Sequence, residues 1–171
     1  EETVQATRAL IDYEGPAYFR LGRPKVKGIF DSSYKFEIGK GRVVKKGSDL
    51  VIFATGIMVQ ESLVAMEKLA KENINVTLVN ISTIKPIDRE IISELATSHG
   101  AVITAEDHNY IGGLGDAVGE VLLDQQISVP FKRVAVNDQF AETGTGPELF
   151  EKYGLSANHI AQAVKNTLKL K

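Results

Sequence analysis

No cysteine occurs among the 171 residues. Disulfides, thiolate metal sites and cysteine nucleophiles are therefore excluded, and the composition is compatible with a reducing, cytoplasmic setting. No apolar run approaches the roughly 20 residues that a membrane-spanning helix needs. Neither sign of charge dominates. The 20 Lys and Arg against 22 Asp and Glu leave a net charge of -2, which draws the chain neither to nucleic acid nor to an anionic membrane. The three histidines, His99, His108 and His159, lie far apart, and none has the spacing of a metal-ligand pair. G-x-S-x-G is absent, which argues against a serine hydrolase. G-x-x-x-x-G-K-[ST] is absent too, and no internal repeat or low-complexity tract breaks the pattern.

What the chain does contain is an alternation of short apolar runs with amphipathic stretches, at 43% hydrophobic and 25% charged residues. Those are the proportions of an ordinary globular protein of a size to bury one good core. Thr3 to Tyr13 reads as a helix. Gly15-Pro16 breaks it, and Ala17 to Leu21 (AYFRL) has the composition of a strand. A helix and one strand cannot form a core, so residues 1–24 read as the tail of another domain, with 25–37 as a polar linker. The chain opens at Glu1 in what reads as mid-helix, as a piece of a longer polypeptide would.

The main domain, 38–171, follows. Arg42 to Lys45 and Leu50 to Ala54 flank Lys46-Gly47-Ser48-Asp49, which has hairpin chemistry. A helix carrying Val59, Leu63, Met66 and Ala70 leads to the strand Val76 to Ile81. Asp88 is placed to cap the next helix. The runs Ala101 to Ala105 and Phe131 to Val136 read as further strands. Gly146 to Tyr153 is a short helix, and Ser156 stands before the last one, with Leu155 and Ile160 at staple positions. Alternation of this kind predicts an α/β fold with a mainly parallel sheet covered on both sides.

The stretch from Ala101 to Val118, AVITAEDHNYIGGLGDAV, combines a buried strand, an acidic pair, a glycine-rich bend and an amphipathic helix. Ligands in open α/β sheets gather at such carboxyl ends. Three readings compete for it. Glycines ahead of a helix can cradle phosphate, but Gly112, Gly113 and Gly115 do not fit G-x-G-x-x-G and an acidic pair stands just upstream. The glycines can instead serve a tight turn and close helix–sheet packing. In the third reading Glu106, Asp107, His108 and Tyr110 face a partner domain or subunit.

Five stretches carry a resemblance to a known family. They are PAYFRLGRP (Pro16 to Pro24), VIFATGIMVQESLVA (Val51 to Ala65), STIKPID (Ser82 to Asp88), TAEDHNYIGGLGDAV (Thr104 to Val118) and FAETGTGPELFEKYGL (Phe140 to Leu155). Together they resemble the C-terminal part of transketolase, including split forms in which that part belongs to a separate subunit. Deoxyxylulose-phosphate synthase shares the layout. So does the beta subunit of 2-oxoacid dehydrogenases, where the equivalent domain is a noncatalytic docking module.

The resemblance implies a three-layer αβα sandwich around a mostly parallel five-stranded sheet, with one antiparallel edge strand at Arg42 to Lys45. It implies that residues 1–24 end a pyrimidine-binding domain. It further implies an oligomeric enzyme that uses thiamine diphosphate and Mg2+ to move a two-carbon ketol unit between sugar phosphates. The G-D-G motif and the pyrimidine-domain glutamate that serve the cofactor are not in this sequence. By resemblance, then, the chain supplies no catalytic group and is folded but inactive alone. Glu106, Asp107, His108, Tyr110, Gly112 and Gly113 are expected at an interface.

One substrate contact is expected. Arg23 in LGRP matches the family's arginine for the sugar phosphate, just past the carboxyl end of the expected strand Ala17 to Leu21. There Gly22 lets the chain turn and Pro24 stiffens the exit. A guanidinium fork suits phosphate oxygens. Arg20 is the weaker candidate, since strand alternation turns it away.

Overall fold

The computed structural model describes residues 1–23 and 25–171. A helix, α1 (Glu2–Ile11), and a long non-regular segment precede the sheet domain. That domain runs β1 (Arg42–Lys45), β2 (Leu50–Ala54), α2 (Met58–Ala70), β3 (Val76–Asn80), α3 (Arg89–His99), β4 (Val102–Asn109), α4 (Leu114–Asp124), β5 (Phe131–Val136), α5 (Gly146–Lys152) and α6 (Ala157–Leu168). The five strands lie in the order β1-β3-β2-β4-β5. Only β1, at the edge, is antiparallel to its neighbour, and its register slips between Val43 and Lys45.

Burial explains the middle of the sheet. Every residue of β2 and of β3 is buried, as near-continuous apolar runs demand when both faces are covered. Alternation then divides them. Leu50, Ile52, Leu78 and Ile103 pack with α2 and α6, whereas Val51, Phe53, Val79 and Val102 pack with α3 and α4. The result is the expected three-layer αβα sandwich.

Local chemistry sets the helix ends. Asp88 accepts from Ile91 N at 3.3 Å to start α3, and Gly100 closes it at φ 66°. Thr145 and Glu148 form a capping box on α5. Ser156 stands at the N-cap of α6, but its hydroxyl meets His159 Nδ1 at 2.9 Å, and Ala157 N donates to Glu61 of α2 at 2.8 Å. The helix start is thus tied to its neighbour across the layer. At the far end of α3, His99 Nε2 lies 2.8 Å from Thr77 Oγ1 and its Nδ1 lies 3.0 Å from Leu95 O.

Three expectations are corrected. β1 and β2 do not form a hairpin, because β3 lies between them. The turn at 46–49 is spent on β3 instead: Ser48 and Asp49 donate to Asn75 O, and Gly47 N donates to Thr77 Oγ1. Gly47 is required there, since a Cβ would stand 2.4 Å from the Val76 carbonyl carbon. Ala17 to Leu21 is not a strand; strand composition makes a strand only with a ladder partner, and this segment has none among the described residues. Finally, β4 runs on through Glu106, Asp107 and His108 to Asn109; its pairing with β5 resumes at Asn109 and Val136 after a register shift that begins at Ala105.

The N-terminal residues dock on the sheet domain. The Gln5 amide bridges Tyr34 O and Phe36 N, and Glu2 accepts from both Tyr34 Oη and Asn80 Nδ2. Burial, with Glu2 alongside, pushes the Tyr34 phenol well above its ordinary range. Among the described residues, no helix is long and apolar enough to cross a membrane.

Candidate functional site

β2 and β4 are neighbours, yet the chain leaves β2 toward α2 on one face and leaves β4 toward α4 on the other. Their carboxyl ends, joined by Thr55 N donating to Ala105 O at 3.1 Å, therefore bound a crevice at the switch point of the sheet. That is where open α/β folds bind ligands.

Along β4 the side chains alternate. Ile103 and Ala105 belong to the α2/α6 core, so Glu106 points the opposite way, toward α4. It is 1% exposed. Its Oε2 accepts from Leu114 N at 2.7 Å and its Oε1 from Gly115 N at 2.8 Å. A carboxylate there satisfies helix N–H groups that otherwise lack partners and complements the helix dipole. This settles the glycines. A Cβ at Gly113 would fall 1.9 Å from Glu106 Oε2, and one at Gly115 would fall 2.6 Å from Arg133 Cδ. The seat a phosphate would take is filled by the chain's own carboxylate. Glu106 thus departs from the interface expectation: it faces inward, and Gly113 is buried with it.

A second acid completes the bend. Asp116 accepts from Gly112 N and from Arg133 Nη1. Those contacts, the Gly112 N–H first and Arg133 after it, hold its carboxyl below the ordinary value. Arg133 also donates to Tyr110 O at 3.2 Å and lies 4.6 Å from the Tyr110 ring centroid. Sequence reasoning missed both Asp116 and Arg133. The available signal was an arginine in the strand FKRVAV, which the sheet places beside Thr104 of β4.

Asp107 follows, within the stretch where the β4–β5 register shifts. Arg20 grips it, with Nη1 on the Asp107 carbonyl at 2.7 Å and Nη2 on Oδ2 at 3.4 Å. Farther along the same segment, Lys27 O accepts from Gln60 Nε2 in the first turn of α2 at 2.5 Å. The segment is therefore tied to β4 and to α2, and Arg23, exposed, lies between those two ties in sequence. Arg20 is exposed and pairs with Asp107. The stiffening expected of Pro24 falls outside the described residues. His108, Tyr110, Ile111 and Gly112 form an exposed rim beside the crevice. Among the described residues, no three His, Asp or Glu side chains group as a metal site.

The family model described as "Transketolase, C-terminal domain" matches residues 39–160. The chain belongs to the transketolase C-terminal domain family. Among its relatives is the 6-deoxy-6-sulfo-D-fructose transketolase subunit SqwH of Clostridium sp. (strain MSTE9), 40% identical over 95% of this chain and 50% of that protein. Another is the 1-deoxy-D-xylulose-5-phosphate synthase of Syntrophotalea carbinolica, 37% identical over 96% of this chain and 27% of the synthase. A solved structure described as split gene transketolase, inactive beta4 tetramer, superposes with a TM-score of 0.94 at 44% identity, covering 99% of this chain and 55% of that one. The chain thus spans about half the length of the split transketolase relatives it matches. As a transketolase C-terminal domain, it carries a closed, self-satisfied bend at Glu106 and an open rim at His108 and Tyr110.

Proposed function

We propose that this chain is the C-terminal portion of a thiamine-diphosphate-dependent transketolase, which transfers a two-carbon ketol unit from a ketose phosphate to an aldose phosphate. Residues 1–24 end the pyrimidine-binding domain, 25–37 link, and 38–171 form the C-terminal domain. The split relatives, about twice this length, support a reading in which the rest of the enzyme lies on further sequence or a partner subunit, in an oligomer. In this reading thiamine diphosphate and Mg2+ are held by that remainder, and the chain alone is inactive. What it contributes is a docking surface at His108, Tyr110 and Gly112, with Asp107 beside it, and one substrate contact at Arg23.

The observation that supports this reading is that the segment carrying Arg23 is tied at Arg20 to Asp107 and at Lys27 to Gln60, both near the carboxyl-end crevice. Ala17 to Leu21 is not a strand, and in this reading the two ties take the place of a ladder in holding the segment. A planar guanidinium is suited to bidentate phosphate contact. In the assembled enzyme, Arg23→Ala should raise KM for phosphorylated sugars while unphosphorylated sugars react nearly as before. Losing a charge-assisted bond of about 2 kcal/mol corresponds to roughly 30-fold. Equal damage to both substrate types would mean that Arg23 holds parts of the enzyme together and does not read phosphate.

A further inference from the structure

Glu106 and Asp107 are adjacent on β4 and meet different partners, the start of α4 and Arg20. Glu106 is immobilised, because both its oxygens are spent on Leu114 N and Gly115 N in a site 1% exposed. That fixes the β4 backbone at this level, and with it the direction of the Asp107 carbonyl and carboxylate. Both of those acceptors are taken by one guanidinium, that of Arg20. A planar fork closed on a backbone oxygen and a side-chain oxygen of the same residue restricts rotation as well as distance. Three residues beyond Arg20 in the same extended segment stands Arg23, and beyond it the Lys27 carbonyl is held by Gln60 of α2. The path from the strand to Arg23 thus runs through one contact, Asp107 to Arg20, and then along the chain from Arg20 to Arg23.

We infer that Asp107 is a positioning residue for the substrate phosphate, acting on Arg23 through Arg20. The inference rests on the phosphate role of Arg23 and adds to it the part of the C-terminal domain that aims that residue. It also explains why an arginine stands at position 20 in a segment with no strand partner. Its charge is paired with Asp107, which leaves the anion-binding task to Arg23 in the proposed reading. Asp107 touches neither substrate nor cofactor. Its effect is to narrow the range of positions open to Arg23 before the phosphate arrives, which lowers the ordering cost of binding.

The test is a set of variants in the assembled enzyme, assayed with a phosphorylated and an unphosphorylated sugar. Asp107→Ala removes the carboxylate and leaves the carbonyl contact. It should raise KM for the phosphorylated sugar by about 3- to 5-fold, the range open to a partly exposed ion pair, with kcat and the unphosphorylated sugar unchanged. Arg20→Ala should do at least as much. Asp107→Ala should add nothing in an Arg23→Ala background, while Asp107→Asn, which keeps an acceptor oxygen, should recover part of the loss. If Arg23→Ala discriminates between the sugars and Asp107→Ala does not, the positioning role is overturned and the phosphate role stands. If Arg23→Ala fails to discriminate, both are overturned. Equal loss with both sugars in Asp107→Ala, accompanied by a lowered melting temperature, would assign Asp107 to structure alone.

Discussion

A methyl group on Gly113 would lie 1.9 Å from Glu106 Oε2. The glycine and the buried carboxylate are therefore two halves of one device: the acid caps α4 only because position 113 has no side chain. Gly113 has φ -105°, a conformation open to any residue, so the requirement is one of space and not of backbone strain.

Gly113→Ala should destabilise the domain by about 2–3 kcal/mol, the cost of overpacking a site that cannot yield. Glu106→Ala should cost a similar amount, about 1–3 kcal/mol, by leaving buried N–H groups without a partner. The double variant should be less unstable than the sum, because each change removes the reason for the other's cost. Additive urea-denaturation free energies would show that the carboxylate and the glycine act independently.

Asp116 provides a pH dependence. Its carboxyl is held below the ordinary value of 3.8 by the Gly112 N–H above all, with Arg133 adding to it. A group acidified on folding contributes stability above its unfolded pKa and loses it as pH falls through the folded one. The advantage of the native protein over Asp116→Asn should therefore be full at about pH 6 and shrink below about pH 4. Urea midpoints of the two proteins across that range measure it. A gap that stays constant down to pH 3 would remove Asp116 from the account.

His108 is exposed at the rim, and its Nδ1 meets only Asn109 O among the described hydrogen bonds. His108→Ala should change the stability of the chain alone by less than about 0.5 kcal/mol, yet weaken assembly with the rest of the enzyme, as read by sedimentation. Tyr110→Ala is a less clean probe, because its ring also carries Arg133. A matching loss of melting temperature in the chain alone would place His108 in the fold and not at an interface.

The chain by itself should be folded and catalytically silent. Calorimetry with thiamine diphosphate and Mg2+ should register no heat of binding. Micromolar affinity would require a cofactor site within these residues and a revision of the division of labour.

Much of the architecture was legible because it rests on periodicity. The continuous burial of Leu50 to Ala54 and of Val76 to Asn80 marks parallel strands, and Asp88 marks a helix start. What escaped was everything decided by a distant neighbour. The 46–49 turn has hairpin chemistry, but its donors are claimed by Asn75 O, and no local rule names that partner. AYFRL has strand composition and no ladder. Glu106 and Asp107 are adjacent acids in the sequence; only the folded chain gives one to the start of α4 and the other to Arg20. Two-residue alternation counted on from Val102 and Thr104 would have marked Glu106 as inward-facing, had the strand been taken that far.

The slipped register of β1 has a consequence for how copies of this chain behave at high concentration. Fibrils and sheet-to-sheet dimers grow from a straight, uncharged strand margin on which another backbone can template. Here the margin is short, irregular between Val43 and Lys45, and flanked by the cations Arg42, Lys45 and Lys46. An incoming copy meets mismatched hydrogen-bonding groups and like charge together. Encounters are thereby steered away from that border of the sheet.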